Sequence, residues 1–197
     1  VDRLIQNVIK DPSINARSLY IGDRNAIIIH ARASAYGMDY KTSVQCPACG
    51  TVSKFQFDLG DHEAYHGGDI EGTDIKDNND GTFSIELPLS TIVACIRPLV
   101  GQDEVDMLSE GKPKDVTNDM ITKQMKRFVV SFNGYGDRKT VNYVADNMTA
   151  IDSKFLRDCF KLISPDVKME QTFTCKNCEH EEVMTVPFGT DFFWPDS

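Results

Sequence analysis

Cys46-Pro47-Ala48-Cys49 and Cys175-Lys176-Asn177-Cys178 are the two stretches that decide the fold. A Cys-x-x-Cys turn points two thiolates at one ion while backbone amides hydrogen-bond the sulfurs, and two such turns complete the tetrahedral shell that zinc prefers. Iron accepts the same four thiolates. Four protein ligands leave no position for water, so the expected site of Cys46, Cys49, Cys175 and Cys178 is structural and not catalytic. Neither dithiol lies between a strand and a helix, as a thioredoxin-like redox motif requires.

Outward from the cysteines the chain looks duplicated. Cys46 to Cys175 and Cys49 to Cys178 are both separations of 129 positions, and the same offset joins Asp23 to Asp152. Each of these Asp residues stands before an apolar run with helical spacing, read as an N-cap plus helix, and an alternating strand then leads into the cysteines. At this offset Val44 matches Phe173 and Phe57 matches Val186. The predicted fold is α+β, with two pseudo-repeated helix-plus-β-hairpin halves, residues 1–58 and 112–197, joined by a shared four-cysteine zinc-ribbon-like site. Residues 59–111 supply a linker and an inserted β-hairpin.

The remaining elements follow from periodicity and punctuation. Val1, Leu4, Ile5, Val8 and Ile9 fall at helical spacing, so the chain opens inside an amphipathic helix. The absence of both an initiator Met and a signal-peptide pattern leads to the expectation of a processed or incomplete start. A second helix runs from Asp23 to about Tyr36, with Gly37 as its left-handed stop. Tyr40–Val44 and Val52–Phe57 form the first hairpin, with Phe55 and Phe57 on one face. Leu59 to Gly81 reads as a surface connection with a short strand around Ile70. Phe83, Ile85 and Leu87 alternate, Pro88 turns, and Thr91 to Arg97 returns as a β-branched partner. Asp103–Leu108 reads as a short helix and Gly111-Lys112-Pro113-Lys114 as a loop. Ile121, Met125, Phe128, Val129 and Phe132 form one helical stripe, and Val141, Val144, Ala145 and Met148 another, capped by Asp137. Asp152 caps a third helix, with Ile151 and Leu156 at hydrophobic-staple spacing. Phe192, Phe193 and Trp194 crowd the end of the chain, where termini are normally polar; they act as a plug over a second hairpin or as an anchor in a partner.

Composition narrows the function. With 41% hydrophobic residues in 197, the chain can bury a core, and it has no apolar run approaching the roughly 20 residues that span a bilayer. A net charge of −9 opposes adhesion to phosphate backbones, which argues against a nucleic-acid-binding zinc ribbon. Cys95 and Cys159 lie among apolar neighbours and read as small buried hydrophobes.

Three further patterns carry chemistry on paper. His62-Glu63-Ala64-Tyr65-His66 satisfies the zinc-metallopeptidase motif, in which two histidines one helical turn apart bind the ion and Glu acts as base. Gly60, Gly67 and Gly68 leave scarcely one turn of helix for it, and a solvated loop is the favoured reading. Asp77-Asn78-Asn79-Asp80-Gly81 resembles a calcium loop, but setting Gly81 at position six puts Lys76 at position one, so a turn suffices. His180 reads as a neighbour of the metal ligands or a solvent residue, and His30 as a partly buried core residue.

The assembled pattern of Gly22-Asp23-Arg24, Ala31-Arg32, Tyr36-Gly37, Tyr40, Cys46-Pro47-Ala48-Cys49-Gly50, Asp152-Ser153, Leu156-Arg157, Pro165, Cys175-x-x-Cys178 and Phe192-Phe193-Trp194-Pro195 resembles the T4-like bacteriophage baseplate hub and hub-assembly proteins. That resemblance implies a structural or assembly role in a contractile tail. The implied partners are other hub, wedge or tail-tube proteins, with neither nucleic acid nor integral membrane contact. It also implies a virion location after synthesis in the bacterial cytoplasm, and no catalytic residues. A Leu-Pro then Arg-Pro segment is implied too, of which Leu87-Pro88 to Arg97-Pro98-Leu99 is one copy.

Overall fold

The computed structural model describes residues 1–109, 118–188 and 190–193, with the side chains of 118–120 and of 190 and 191 outside that description. It is a mixture of helices and small antiparallel sheets. Helix α1 (Asp2–Val8) places Ile5 wholly inside, and a 3-10 turn (Ala16–Ser18) leads to α2 (Ile21–Tyr36). Asp23 is not the cap of α2 but sits in its first turn. The helix starts earlier because Tyr20 bridges Val100 and the Ile21 amide donates to Leu99 O at 3.0 Å, so a tertiary strand contact directs the chain into the helix. Gly37, at φ +86°, ends the helix as expected, donating to Ala33 O.

Strands β1 (Asp39–Gln45) and β2 (Val52–Asp58) form the first hairpin, and β3 (Glu63–Tyr65) and β4 (Lys76–Asp77) follow. The connection after Leu59 therefore carries two short strands, and the strand expected around Ile70 is absent. Next come β5 (Phe83–Glu86), β6 (Val93–Ile96), α3 (Gly101–Ser109), α4 (Asn118–Phe128) and β7 (Val129–Phe132). The loop expected at Gly111–Lys114 lies outside the described residues. The helix expected to run through Phe132 ends at Phe128. Val129 and Val130 are β-branched, and β7 pairs with β6, completing a four-stranded sheet in the order β4-β5-β6-β7. Met125, Phe128, Val129 and Phe132 are buried all the same, so the apolar spacing was compatible with either period.

Helix α5 (Arg138–Asp146) is capped by Asp137, whose carboxylate accepts the Thr140 amide at 3.0 Å. Helix α6 (Ala150–Ile163) is capped by Thr149 instead of Asp152. Asp152 stands at the third helical position and turns inward, where it is fully buried and accepts the amides of Leu89 (2.9 Å) and Ser90 (3.1 Å). The expected staple does not form, because Ile151 is 60% exposed while Leu156 is buried. Strands β8 (Asp166–Lys168), β9 (Glu170–Thr174) and β10 (Glu181–Thr185) and helix α7 (Thr190–Phe193) complete the chain. Strands β9 and β10 form the second cysteine hairpin, and β8 pairs with β3.

Two apolar cores result. Ile85, Leu87, Ile96, Phe128, Val141, Leu156, Cys159 and Ile163 pack the four-stranded sheet against α4, α5 and α6. Ile5, Ile28, Ile29, Tyr40, Phe57, Met169, Phe173 and Phe192 join α1 and α2 to both cysteine hairpins. In that second core the hairpins meet through Phe55, whose ring centroid lies 4.8 Å from Phe57 and 5.3 Å from Phe173. The Gln171 side-chain amide bonds both the N–H and C=O of Asp58, pinning β9 to the end of β2.

Burial opposes ionisation of Asp152, but the two amides outweigh it and hold its carboxyl below the usual range. Asp152→Asn should cost roughly 2 kcal/mol, because one of two buried amides loses a charged acceptor. A folded-state pKa below the unfolded one contributes stability that is present above the unfolded value and lost as pH falls through the folded one. Urea unfolding should therefore show a gap between wild type and variant at pH 7 that closes as pH drops below 3.8.

Candidate metal centre

The β1–β2 turn folds back on itself because the Gly50 amide donates to Cys46 O at 2.9 Å and the Cys46 amide to Thr51 O at 2.9 Å. The second turn repeats both bonds, with the Glu179 amide on Cys175 O and the Cys175 amide on His180 O, each at 2.9 Å. Both turns need a left-handed residue after the second cysteine. Gly50 supplies it at φ +71°, whereas Glu179 is forced there at φ +56°.

These turns bring four sulfurs within 4.8 Å of one another, close enough to hold a metal ion. Cys46 Sγ is 3.7 Å from Cys178 Sγ, and Cys49 Sγ is 3.7 Å from Cys175 Sγ. A tetrahedron of sulfurs about 2.3 Å from a central ion has edges of about 3.8 Å. A disulfide would require about 2.05 Å, and all four cysteines are free thiols. Cys46 and Cys175 are buried in the hairpin core, and Cys49 and Cys178 face outward.

The surroundings favour thiolate. The Thr51 side chain, then the Thr51 and Asn177 hydrogen bonds, hold Cys49 down at about 5. The Asn177 and Cys178 amides hold Cys175 below the ordinary thiol value. At Cys178 the His180 amide pulls downward, but the neighbouring thiols, Cys49 first, push it up to about 12. Several thiolates crowd this volume, and a bound cation would relieve their mutual repulsion.

Asn177 and Thr51 are contributors that sequence reading missed. Asn177 Nδ2 reaches across to Cys49 Sγ at 3.7 Å and donates to Thr51 Oγ1 at 3.2 Å. That bond leaves the Thr51 hydroxyl proton free to point at Cys49, 3.3 Å away. An amide-bearing residue inside the second turn, where the first turn has Ala48, was the available signal.

The other candidates sit elsewhere. His62-Glu63-Ala64-Tyr65-His66 is neither helix nor loop, because Glu63–Tyr65 is β3, paired to β8 in the register Glu63 to Lys168. An extended segment would hold side chains four residues apart at about 13 Å, and among the described residues His62, Glu63 and His66 form no group close enough to share one ion. His62 Nδ1 lies 3.0 Å from Leu59 O. His180 turns to Glu182, 3.7 Å away, and His30 is exposed on α2 instead of partly buried, because that helix buries Ile28, Ile29 and Ala33. Asp77–Gly81 is the turn between β4 and β5, in which Asp80 accepts the Thr82 amide at 2.9 Å. Cys159 is buried, and burial pushes its thiol up to about 11, which suits an inert core residue. Phe192 is fully buried, edge-on to Tyr40 of β1 at 5.2 Å, so it plugs the first hairpin; Phe193 packs partly buried beside it. Trp194 lies outside the described residues.

Glu179→Gly should stabilise the protein by about 0.5–1 kcal/mol by relieving the left-handed backbone, and Gly50→Ala should destabilise it by about 1 kcal/mol. Chemical unfolding of the metal-loaded variants checks both signs. Metal uptake at pH 7 should also release protons, and affinity should fall on acidification, since every ligand must be a thiolate; an indicator-dye titration reads this directly.

No curated protein and no solved structure matches the chain at a significant level. The family model described as T4 bacteriophage base plate protein matches residues 1–194, covering both cysteine hairpins, the four-stranded sheet and the aromatic end. The chain belongs to the T4 bacteriophage base plate protein family.

Proposed function

We propose that the protein is a structural or assembly component of the hub region of a contractile-tail base plate. It is stapled by one zinc ion on Cys46, Cys49, Cys175 and Cys178, and acts through contacts with other hub, wedge or tail-tube proteins. Family membership implies a phage structural component located in the virion tail. The observation that carries the finer reading is the four-sulfur cluster, drawn from two distant turns of a chain in that family. A closed shell of four thiolates offers no position for substrate, and zinc is the ion this donor set selects most readily, with iron the competitor that metal analysis would reveal.

The duplication is part of the same proposal. Helices α2 and α6 begin at Ile21 and Ala150, β1 and β9 end at Gln45 and Thr174, and β2 and β10 begin at Val52 and Glu181. All three pairs share the offset of the cysteines. Residues 1–58 and 112–197 are then two copies of one unit, with 59–111 between them, and the ion ties the copies together.

The role calls for no catalysis. An extended His62-Glu63-Ala64-Tyr65-His66 lacks the geometry of a metallopeptidase, and the net charge of −9 disfavours a nucleic-acid ribbon. Phe192, Phe193 and Trp194 form the proposed contact segment, with Phe192 as its inward root.

Three outcomes test this reading. Phage lacking the protein should fail to form base plates; normal infectious particles without it would end the proposal, and its presence or absence in purified virions separates subunit from assembly factor. Glu63→Gln should leave infectivity unchanged, whereas its loss with intact assembly would promote the enzyme reading. Phe192→Ala should lower stability by about 3 kcal/mol in thermal melts of the isolated protein, the cost of emptying a fully enclosed aromatic site.

A further inference from the structure

Two of the four clustered sulfurs belong to exposed residues, Cys49 and Cys178, and two to buried ones, Cys46 and Cys175. The two sulfur contacts at 3.7 Å both cross from one hairpin to the other, Cys49 to Cys175 and Cys46 to Cys178. Each contact therefore joins an outward sulfur of one turn to an inward sulfur of the other. An oxidant in solvent reaches the outward member, and a second sulfur already stands behind it. The two remaining cysteines have no such arrangement among the described residues, since Cys159 lies in the core and Cys95 lies against Asn78.

Asn177 holds both sulfurs of the Cys49–Cys175 contact. Its backbone amide donates to Cys175 Sγ at 3.4 Å, and its side-chain amide reaches Cys49 Sγ at 3.7 Å. The same side chain donates to Thr51 Oγ1, which lies 3.3 Å from Cys49 Sγ, so the Cys49 side chain is kept turned toward the second hairpin. A disulfide between these two residues requires the sulfurs to close from 3.7 Å to about 2.05 Å, a shift of about 0.8 Å for each.

We propose that Cys49 and Cys175 form a peroxide-responsive pair, which converts the hairpins from linkage by a shared ion to linkage by a disulfide. The exposed Cys49 thiolate attacks one oxygen of hydrogen peroxide; an S–O bond forms, the O–O bond breaks and hydroxide leaves, giving the sulfenic acid. The Cys175 thiolate then attacks Cys49 Sγ; the S–S bond forms, the S–O bond breaks and a second hydroxide leaves. The two sulfurs together give up two electrons, and one peroxide is reduced to two hydroxides. With two of its four ligands gone, the closed shell opens and the ion is released to solvent. The new link spans 126 positions of sequence, so it constrains the unfolded chain and keeps the hairpins joined after the ion has left.

This rests on the metal centre and virion location proposed above, and it adds what becomes of the thiolates when a particle built in reducing cytoplasm meets oxidising surroundings.

Hydrogen peroxide titration of the metal-loaded full chain tests the pair, with ion release read by an indicator dye and disulfides mapped by non-reducing peptide mass spectrometry. One equivalent should release the ion and give Cys49–Cys175 as the main linkage, and dithiothreitol with added zinc should restore the starting species. The oxidised chain should melt roughly 10 °C above the reduced, metal-free one. Asn177→Ala should keep the metal-loaded fold while shifting the products toward other cysteine pairs. Linkage within one turn, Cys46 to Cys49 or Cys175 to Cys178, overturns the pairing, as does sulfinic acid at Cys49 without a disulfide. Chains alkylated in freshly released particles should carry the link, and chains alkylated inside infected cells should carry free thiols. Four free thiols in both overturn the conversion while leaving the metal centre and the base plate role standing. A chain purified with no ion contradicts the metal reading instead, and the peptide map of its peroxide-treated thiols still decides the pairing.

Discussion

Everything in the hairpin half of the molecule depends on four sulfurs lying within 4.8 Å of one another at the tips of two separate two-stranded sheets. A lone hairpin of this size is marginal in water. Among the described residues no backbone ladder joins the hairpins to each other, so their union rests on side chains, among them the rings around Phe55, the Gln171 amide, Asn177 and the cysteines. An ion at the tips would close a loop of well over a hundred residues and satisfy thiols that otherwise crowd each other, Cys178 most of all. At the opposite end of the first hairpin Phe192 is enclosed against Tyr40. The hairpin pair is thus fixed at both ends.

Buried charges tie this half to the rest. Arg24, 2% exposed, donates to Ala16 O and Asp2 and reaches Glu104, so one guanidinium joins α1, the 3-10 turn, α2 and α3. A side chain at Gly101 would lie 2.6 Å from that guanidinium, which is why the first position of α3 has none. Arg97 binds Asp103 with two bonds of 2.8 Å, fixing the strand-to-helix corner beside it. Burial works against the Asp103 carboxylate, but Arg97 and the Val100 amide hold it ionised. Fully paired groups of this kind fix one arrangement, because breaking any of them strands a buried charge.

The cysteine spacing was legible because the local turn chemistry of Cys-x-x-Cys does not depend on the rest of the chain. Most helices were legible from their 3.6 period, including the Asp137 cap. Their starts were less so. Tyr20 has no capping side chain and begins α2 through a bridge to Val100, and Asp152 resembles a cap while serving a turn more than sixty residues away. The end of α4 was hidden for a different reason, since Met125, Phe128, Val129 and Phe132 fit a helix stripe and a strand junction alike. Strands β3, β4 and β8 have two or three residues each, too few to show a period, and exist only because partners elsewhere in the chain pair with them. Asn177 could not be recognised before the fold, because its role consists of reaching the other turn.

The central claim is a single ion shared by two turns of one chain, and X-ray absorption at the metal edge of protein purified without added metal tests it most directly. The account predicts a zinc edge and one shell of four sulfurs at about 2.3 Å. A shell containing nitrogen or oxygen, or less than one ion per chain, would contradict it.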